Sequence, residues 1–311
     1  MTTALCEPTI VKKSDDAPVL WERISCNLCG QDATEVFHRE RLSYFGKDYD
    51  FKVVRCLNCG LVYTNPRLRD YNAAYLQSED SREEIERHAR AKAPVFERAL
   101  KEIIKRQKRQ GQAARGSLLD VGCGSGHFLR AARQCGYDVA GIEPAEVLAE
   151  YAREVLGLSV YQNAVQNIRM PFEGFDVITA WDVIEHVADP YAFLRRCSQW
   201  LRPGGIMALR FPSSAWQKLK GVVMQDWLSM NRPVFSPTIH LYFFSARTFE
   251  RMAHRVGLEV LRVRTTTAEV NTNSVAGDCI KVMSHLTLRG IEMMSRRHLG
   301  NLEVYCRKAH G

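Results

Sequence analysis

The residues of this chain that can do chemistry fall into three groups. The first is Gly122, Gly124 and Gly126, at alternate positions after the apolar run 118–121 that carries Asp120, with a second acid, Glu143, further on. Glycines at a strand-to-helix turn leave no Cβ between main chain and ligand, and an acid about twenty residues beyond such a turn can accept from both hydroxyls of a ribose. This is the pattern of a nucleotide-type cofactor site. Its G-x-G-x-G spacing, with Asp120 inside the strand, departs from the G-x-G-x-x-G of a pyrophosphate cradle.

The second group is Cys26, Cys29, Cys56 and Cys59, two C-x-x-C pairs each followed directly by a glycine, Gly30 or Gly60. Two residues between thiolates let one tight turn present both sulfurs to one ion, and two such turns make a tetrahedral four-sulfur site. Four thiolates leave no open position, so the expected metal is a structural zinc on which folding of residues 21–66 depends. A pair of redox dithiols is the competing reading. The third group is Asp182, Glu185 and His186, with His240 farther along. Histidine titrates in the range useful to a general base, and the alternative is that Glu185 and His186 only brace their loop.

The elements that must position these groups follow from periodicity. Strands are expected at 117–121, 137–142, 158–161, 175–180 and 205–211, and helices at 126–135, 145–156 and 189–201. Asp189 before Pro190 is an N-cap with proline at the first helical position. Ser245 starts a further helix ending before Gly257, and a strand at 258–265, a helix near 280–297 and a strand at 301–306 complete the series. Such alternation needs right-handed crossovers and gives an α/β fold with a doubly wound, parallel sheet. Ligands bind outside the carboxyl ends of its strands, which puts Gly122 to Gly126, Glu143, Asn163, Trp181 and Asp182 on one rim.

Residues 36–38 and 49–55 can supply hairpin strands across the cysteine gap. Residues 69–115 read as a helical connector that caps the cofactor cleft, with a helix from near Ser81 that Pro94 should break or kink. The segment 212–240 holds Trp216, Met224, Trp227, Met230 and Phe235. That many large apolar groups fits a substrate-side lid or a packed excursion over the sheet. His38, His88, His127, His254, His285, His298 and His310 read as surface or packing residues, His127 also lying within reach of a cofactor carboxylate.

Asp120-Val-Gly-Cys-Gly-Ser-Gly126, Glu143, Phe175-Asp-Val-Ile178, Asp182-Val-Ile-Glu-His-Val-Ala-Asp-Pro190 and Leu201-Arg-Pro-Gly-Gly205 occur in order. With them, residues 116–311 resemble a class I S-adenosylmethionine-dependent methyltransferase. The resemblance implies a Rossmann-like, doubly wound, seven-stranded sheet whose last strand runs antiparallel. It also implies S-adenosyl-L-methionine as cofactor, held by Asp120, Gly122, Cys123, Gly124, Gly126, Glu143, Asn163, Ala164, Trp181 and Asp182. An acid after the third strand usually contacts the adenine amine in this family, and here Gln162 or Asn163 stands in its place. Trp181 either packs on the adenine ring or belongs to the core. The candidates for acceptor chemistry are His186, His240, Asp182 and Glu185, with His186 as the favoured base. Only Pro212 survives of the threonine, proline and asparagine series common after the fifth strand, so acceptor chemistry is not carried over. Residues 21–68 look like the zinc-ribbon-like N-terminal module found in methyltransferases acting on sugars, natural products and cell-envelope intermediates.

Composition agrees with that class. The 311 residues, 46% hydrophobic, divide into a flexible tail at 1–20, the zinc module at 21–68, the connector at 69–115 and the catalytic domain at 116–311. No apolar run approaches about eighteen residues and the start lacks a signal layout, so a cytoplasmic protein without a transmembrane segment is expected. Cys6, Cys123, Cys135, Cys197, Cys279 and Cys306 are scattered through predicted elements and read as reduced thiols. The net charge of +8, from 43 basic and 35 acidic residues, is modest, and the basic stretch 101–110 fits a solvated helix face.

The expected partner is therefore a small-molecule or sugar-type acceptor, methylated at oxygen. One alternative is an RNA base methyltransferase gripping RNA with the zinc module. Against it stand the missing Asn-Pro-Pro-aromatic signature, replaced by Ala180-Trp-Asp-Val183, and the lack of an aromatic-interleaved basic patch. The other is a non-catalytic scaffold, against which stand the intact glycine turn and Glu143. Oligomeric state is not legible in the sequence.

Overall fold

The computed structural model describes residues 20–44, 47–69, 73–76, 80–113, 115–171, 173–221, 234–266 and 300–309. The cysteine module comes first. β1 (Trp21–Glu22) pairs antiparallel with β5 (Arg67–Leu68), while β2 (Thr34–Tyr44), β3 (Lys47–Cys56) and β4 (Val62–Thr64) form an antiparallel meander. β2 and β3 are the arms expected across the cysteine gap. Asp50 of β3 is exposed, Phe51 buried, Lys52 half-buried and Val53 buried, the alternation of a sheet with one buried face, and nearer the cysteines Val54 and Cys56 are buried as well.

The connector holds α1 (Ala73–Leu76) and α2 (Arg82–Arg109). The Ser81 side chain accepts from the Glu84 N–H and the Glu84 carboxylate accepts from the Ser81 N–H, a capping box that starts α2 where expected. α2 runs through Pro94 without the expected break. A proline inside a helix costs about 3 kcal/mol, and here burial of Val95, Ala99, Leu100 and Ile103 beyond it offsets that cost.

The catalytic part alternates as the periodicity predicts. β6 (Gly116–Val121), α3 (His127–Gln134), β7 (Tyr137–Ile142), α4 (Glu146–Glu150), β8 (Ser159–Tyr161), β9 (Phe175–Trp181), α5 (Pro190–Trp200) and β10 (Leu201–Pro212) follow one another. A single π turn, Tyr151–Val155, extends α4 to the length expected for that helix. α6 (Ser214–Gly221), β11 (Tyr242–Phe243), α7 (Ala246–His254), β12 (Leu258–Thr265) and β13 (Asn301–Lys308) complete the described elements.

The sheet has the order β12-β13-β10-β9-β6-β7-β8. β13 is antiparallel to both neighbours, as the resemblance implies, and the remaining pairs are parallel. Strand order reverses at β6, so the ligand crevice opens at the carboxyl ends of β6 and β9. On one face Ala99, Leu100 and Ile103 of α2 pack with Phe128, Leu129 and Ala132 of α3. On the other, α5 and α7 share a single core with Cys26, Leu28, Cys56, Cys59, Leu61 and Tyr63 of the cysteine module. β11, from the catalytic part, adds to the module's meander in the order β11-β4-β3-β2.

The helix expected near 280–297, the tail before Leu20, and 222–233 of the 212–240 segment, with Met224, Trp227 and Met230, lie outside the described residues. Among the described residues no helix is long and apolar enough to cross a membrane, and every cysteine is a free thiol.

Candidate active site and cysteine cluster

Packing dictates two of the three glycines that follow β6. A Cβ on Gly122 would lie 2.6 Å from Val183 Cγ2, and one on Gly126 would lie 2.6 Å from Leu158 Cδ1. Gly124 differs. Its φ is 52°, and no atom of the described residues lies within 4 Å of an added Cβ, so its main chain faces open space. The Gly124 N–H donates to Glu143 Oε2 at 2.8 Å, while Glu143 Oε1 accepts from the Ala145 N–H at 2.8 Å and the Tyr75 hydroxyl at 3.1 Å. Burial pushes the Glu143 carboxyl up, and these three donors pull it part of the way back. An approachable strip of backbone beside an acid is what an extended cofactor with a ribose diol requires.

The other expected cofactor residues occupy several depths. Asp120 lies beneath the turn, accepting from Thr179 Oγ1 at 2.6 Å, and burial pushes it up to about 8. Cys123 turns its thiol into the sheet, against Gly141 of β7. Asn163 lies just past β8, where its side-chain oxygen accepts from the Ala164 N–H and from Asn167 Nδ2. The Trp181 ring is buried with its centroid 5.0 Å from Phe128 and 6.4 Å from Phe96, the core environment weighed beside the adenine contact.

Beyond β9 the chain turns through Asp182 with φ of 57°, a conformation rare for a non-glycine residue and frequent at functional sites. Lys92 Nζ of α2 donates to Asp182 Oδ2 at 3.0 Å, and Arg210 Nε of β10 lies 3.4 Å from Oδ1. Burial alone would raise the Asp182 carboxyl, but the two cations outweigh it and hold it at about 2. Glu185 goes the other way, pushed well up by burial and by Asp182. Near neutral pH Asp182 is therefore ionised, whereas burial and the Asp182 charge both disfavour the ionised form of Glu185. Glu185 Oε2 has no hydrogen-bond partner among the described residues.

His186 and His240, 54 residues apart in sequence, meet with ring centroids 4.8 Å apart. Nδ1 of His186 lies 2.9 Å from the Ile239 carbonyl oxygen, and Nδ1 of His240 lies 3.1 Å from that of Phe235. A carbonyl only accepts, so each Nδ1 carries the proton and each Nε2 keeps its lone pair. Burial pulls both imidazoles below the usual histidine value, and the neighbouring ring helps hold His240 at about 3. The arrangement offers two neutral bases beside an ionised acid and a second acid whose charged form is disfavoured.

The sequence profile of the methyltransferase-domain family matches residues 87–263, more than half of the chain. The chain belongs to the class I S-adenosylmethionine-dependent methyltransferases. Two ubiquinone biosynthesis O-methyltransferases are among its relatives. That of Rhodopseudomonas palustris strain BisA53 is 35% identical over 107 residues, 32% of this chain and 41% of the relative. That of Cereibacter sphaeroides is 40% identical over 95 residues, 29% of this chain and 38% of the relative. The chain thus spans about two fifths of the length of the curated relatives it matches. Among solved structures, the plantazolicin methyltransferase BpumL, in complex with a monoazolic desmethylPZN analog and SAH, has a TM-score of 0.51 at 12% identity. The match covers 77% of this chain and 94% of that one, and it is a likeness of fold.

Several residues at the rim of the crevice carry no motif. Tyr75, Glu86 and Lys92 all come from the connector. Glu86 hydrogen-bonds the Tyr151 hydroxyl and lies 3.7 Å from His127 Nε2, so α2 grips the rim beside the glycine turn. A connector capping the cleft was expected, but nothing in a charged helix said which charges would point at it. Arg210 carried a signal, being an arginine at the end of an otherwise apolar strand.

The four cysteines of the two C-x-x-C pairs come together. Cys26 and Cys59 Sγ lie 3.4 Å apart, Cys29 and Cys56 Sγ 3.5 Å apart, and all four lie within 4.8 Å of one another. These separations are close to the roughly 3.8 Å edge of a tetrahedron with metal–sulfur bonds of about 2.3 Å. Both turns have one geometry. The Gly30 N–H donates to the Cys26 carbonyl and the Gly60 N–H to the Cys56 carbonyl, with φ of 75° and 80° at the two glycines.

Proposed function

We propose that this methyltransferase methylates an oxygen of a small-molecule acceptor, with His186 and His240 as the residues that manage the acceptor proton. The observation that carries this reading is the pair of imidazoles, each tied at Nδ1 to a backbone carbonyl so that Nε2 is held as a base. The cofactor supplies a methyl group already activated on a sulfonium, which leaves the protein to hold an acceptor in line at about 3–3.5 Å and to take its proton. Glu143 would bind the ribose hydroxyls, the backbone at Gly122, Cys123, Gly124 and Gly126 would lie along the cofactor, and Asn163 with Ala164 would meet the adenine. Asp120 and Trp181 would support that surface from beneath. Asp182, held by Lys92 and Arg210, would set the loop that carries Glu185 and His186. The naming of the relatives as O-methyltransferases of ubiquinone biosynthesis supports an oxygen acceptor.

Cys26, Cys29, Cys56 and Cys59 would hold one structural zinc, a donor set with no open position. Tritiated S-adenosylmethionine with fractionated extract, followed by mass analysis of the labelled product, tests the acceptor class. A labelled small molecule supports the reading, whereas label that disappears after RNase treatment returns the RNA reading. No transfer and no cofactor binding in zinc-replete protein would leave only a scaffold.

A second reading has its own observation. One ligand atom each from Glu185, His186 and His240 lie within 4.8 Å of one another, a set that can hold a divalent cation to polarise the acceptor oxygen. Dialysis against EDTA that abolishes transfer while the cysteine-bound zinc is retained, with rescue by magnesium or manganese, would favour it over the base.

A further inference from the structure

We propose that the cysteine module builds the acceptor side of the active site, with Glu40 and Thr64 as the residues that position His240 and, through it, His186. The inference rests on the reading that the paired imidazoles serve the acceptor. It adds to that reading a cause for their geometry.

His240 belongs to no element of the catalytic sheet. It ends a tight turn in which the Ser236 carbonyl accepts from the N–H groups of Ile239 and His240, at 3.0 and 2.9 Å, and Ser236 has φ of 50°. Both ends of that turn are held by the module. At its start the Glu40 carboxylate of β2 accepts from three successive N–H groups, those of Val234, Phe235 at 3.2 Å and Ser236 at 3.1 Å. At its end Thr64 of β4 donates from Oγ1 to the His240 carbonyl at 3.0 Å and from its N–H to the Leu241 carbonyl at 2.9 Å. Beyond that, Tyr63 and Val62 pair with Tyr242 and Phe243.

Glu40 and Thr64 are both buried, at 6% and 0% exposure, so water does not replace these bonds when they are lost. The same turn reaches the second imidazole. Its Ile239 carbonyl accepts from His186 Nδ1, and its Phe235 carbonyl accepts from Nδ1 of His240 itself. The N–H groups of Leu241 and Tyr242 both donate to the Glu185 carbonyl. Phe235 is seated among Phe37 and His38 of β2 and Phe243 of β11, which fixes the turn against the module's face.

β4 begins two residues beyond Gly60, directly after the second cysteine turn, and β2 is the first arm of the hairpin whose second arm, β3, ends at Cys56. The four-cysteine cluster therefore anchors the two strands from which Thr64 and Glu40 act. This gives the module a task within the active site that requires no macromolecular partner.

The test uses the full-length, zinc-replete protein with 15N-labelled histidine. Thr64→Val keeps the side-chain shape and removes only the donor, Thr64→Ser restores it, and Glu40→Gln removes the charge that three amides share. Long-range proton–nitrogen spectra report the tautomer and titration of each imidazole, and calorimetry with S-adenosylmethionine reports the cofactor side. In Thr64→Val and Glu40→Gln, His186 and His240 should lose the fixed Nδ1–H tautomer and titrate nearer the usual histidine value, with cofactor affinity unchanged. Thr64→Ser should return the wild-type spectrum.

Methyl transfer into fractionated extract should fall by up to roughly 100-fold, the cost of misplacing a reacting group by about 1 Å. If folded Thr64→Val keeps wild-type tautomers, titration and transfer, the proposal is overturned even if Glu40→Gln fails to fold. If instead His240→Ala and His186→Ala retain full transfer, it is the reading of the imidazoles as acceptor groups that fails. The spectra then still decide who positions them.

Discussion

The hydroxyl of Tyr75 donates to Oε1 of Glu143 at 3.1 Å, joining the connector to the acid that closes β7. A ribose diol binding Glu143 would compete for that oxygen, since two backbone amides already occupy other lone pairs of the carboxylate. Glu143→Ala should weaken S-adenosylmethionine binding by about 1.5–3 kcal/mol, or roughly 10- to 150-fold. Tyr75→Phe should tighten it by up to about tenfold, because one competing bond is removed. Calorimetry reads both. Weaker binding by Tyr75→Phe would mean that the phenol contacts the bound cofactor instead of yielding to it.

The imidazoles set the pH response. His240 is held at about 3, so it remains a neutral base well below the ordinary histidine value of 6.5, and His186 is depressed in the same direction. Methyl transfer should therefore hold its rate as pH falls through 6.5, where a solvated histidine base would lose half its activity. The stability consequence has a definite sign. Between about 3 and 6.5 the unfolded chain binds a proton at His240 that the folded chain refuses, so the contribution present above 6.5 is lost as pH falls towards 3. Denaturant titrations of wild type against His240→Asn across that window measure it. A gap between the two proteins that does not change with pH would contradict the depressed value.

Zinc should be inseparable from the module. Cys56→Ser is expected to lose stoichiometric zinc and to make residues 21–68 susceptible to limited proteolysis, because closed tetrathiolate sites supply folding energy to the small domains that hold them. Metal analysis and proteolytic mapping check this. Wild-type protein that folds fully without zinc would remove the metal from the argument.

Arg67 should matter more than its place in a short strand indicates. Buried at the seam, it donates to Glu22 at 2.7 Å, to the Ala188 carbonyl at 2.8 Å and to the Tyr242 hydroxyl at 3.2 Å, tying the module to the loop after Glu185. Arg67→Met should lower stability by about 1.5–3 kcal/mol. Denaturant unfolding decides it, and an unchanged midpoint would show that the seam is held by packing alone.

What could be read without coordinates was local in the chain. The glycine turn, Glu143, the two C-x-x-C pairs and the strand–helix alternation each depend on residues near in sequence, where backbone geometry and periodicity act directly. The helix starts at Ser81, Asp189 and Ser245 were legible for the same reason. Of the break or kink expected at Pro94 the break does not occur, because the local penalty is set against the buried contacts of Val95, Ala99, Leu100 and Ile103.

The tertiary structure alone decided that the two imidazoles meet. His186 and His240 were both candidates in the sequence, but their meeting, and the tautomer each must hold, depend on carbonyls from a turn whose position is set by Glu40 and Thr64, about 200 and 180 residues away. Contacts of that separation leave no periodic trace, because each involves one polar atom whose partner is chosen by how whole sheets pack. The cysteine spacing determined that a module would form. Its docking against the catalytic sheet determined that Glu40 and Thr64 would reach the turn that carries His240.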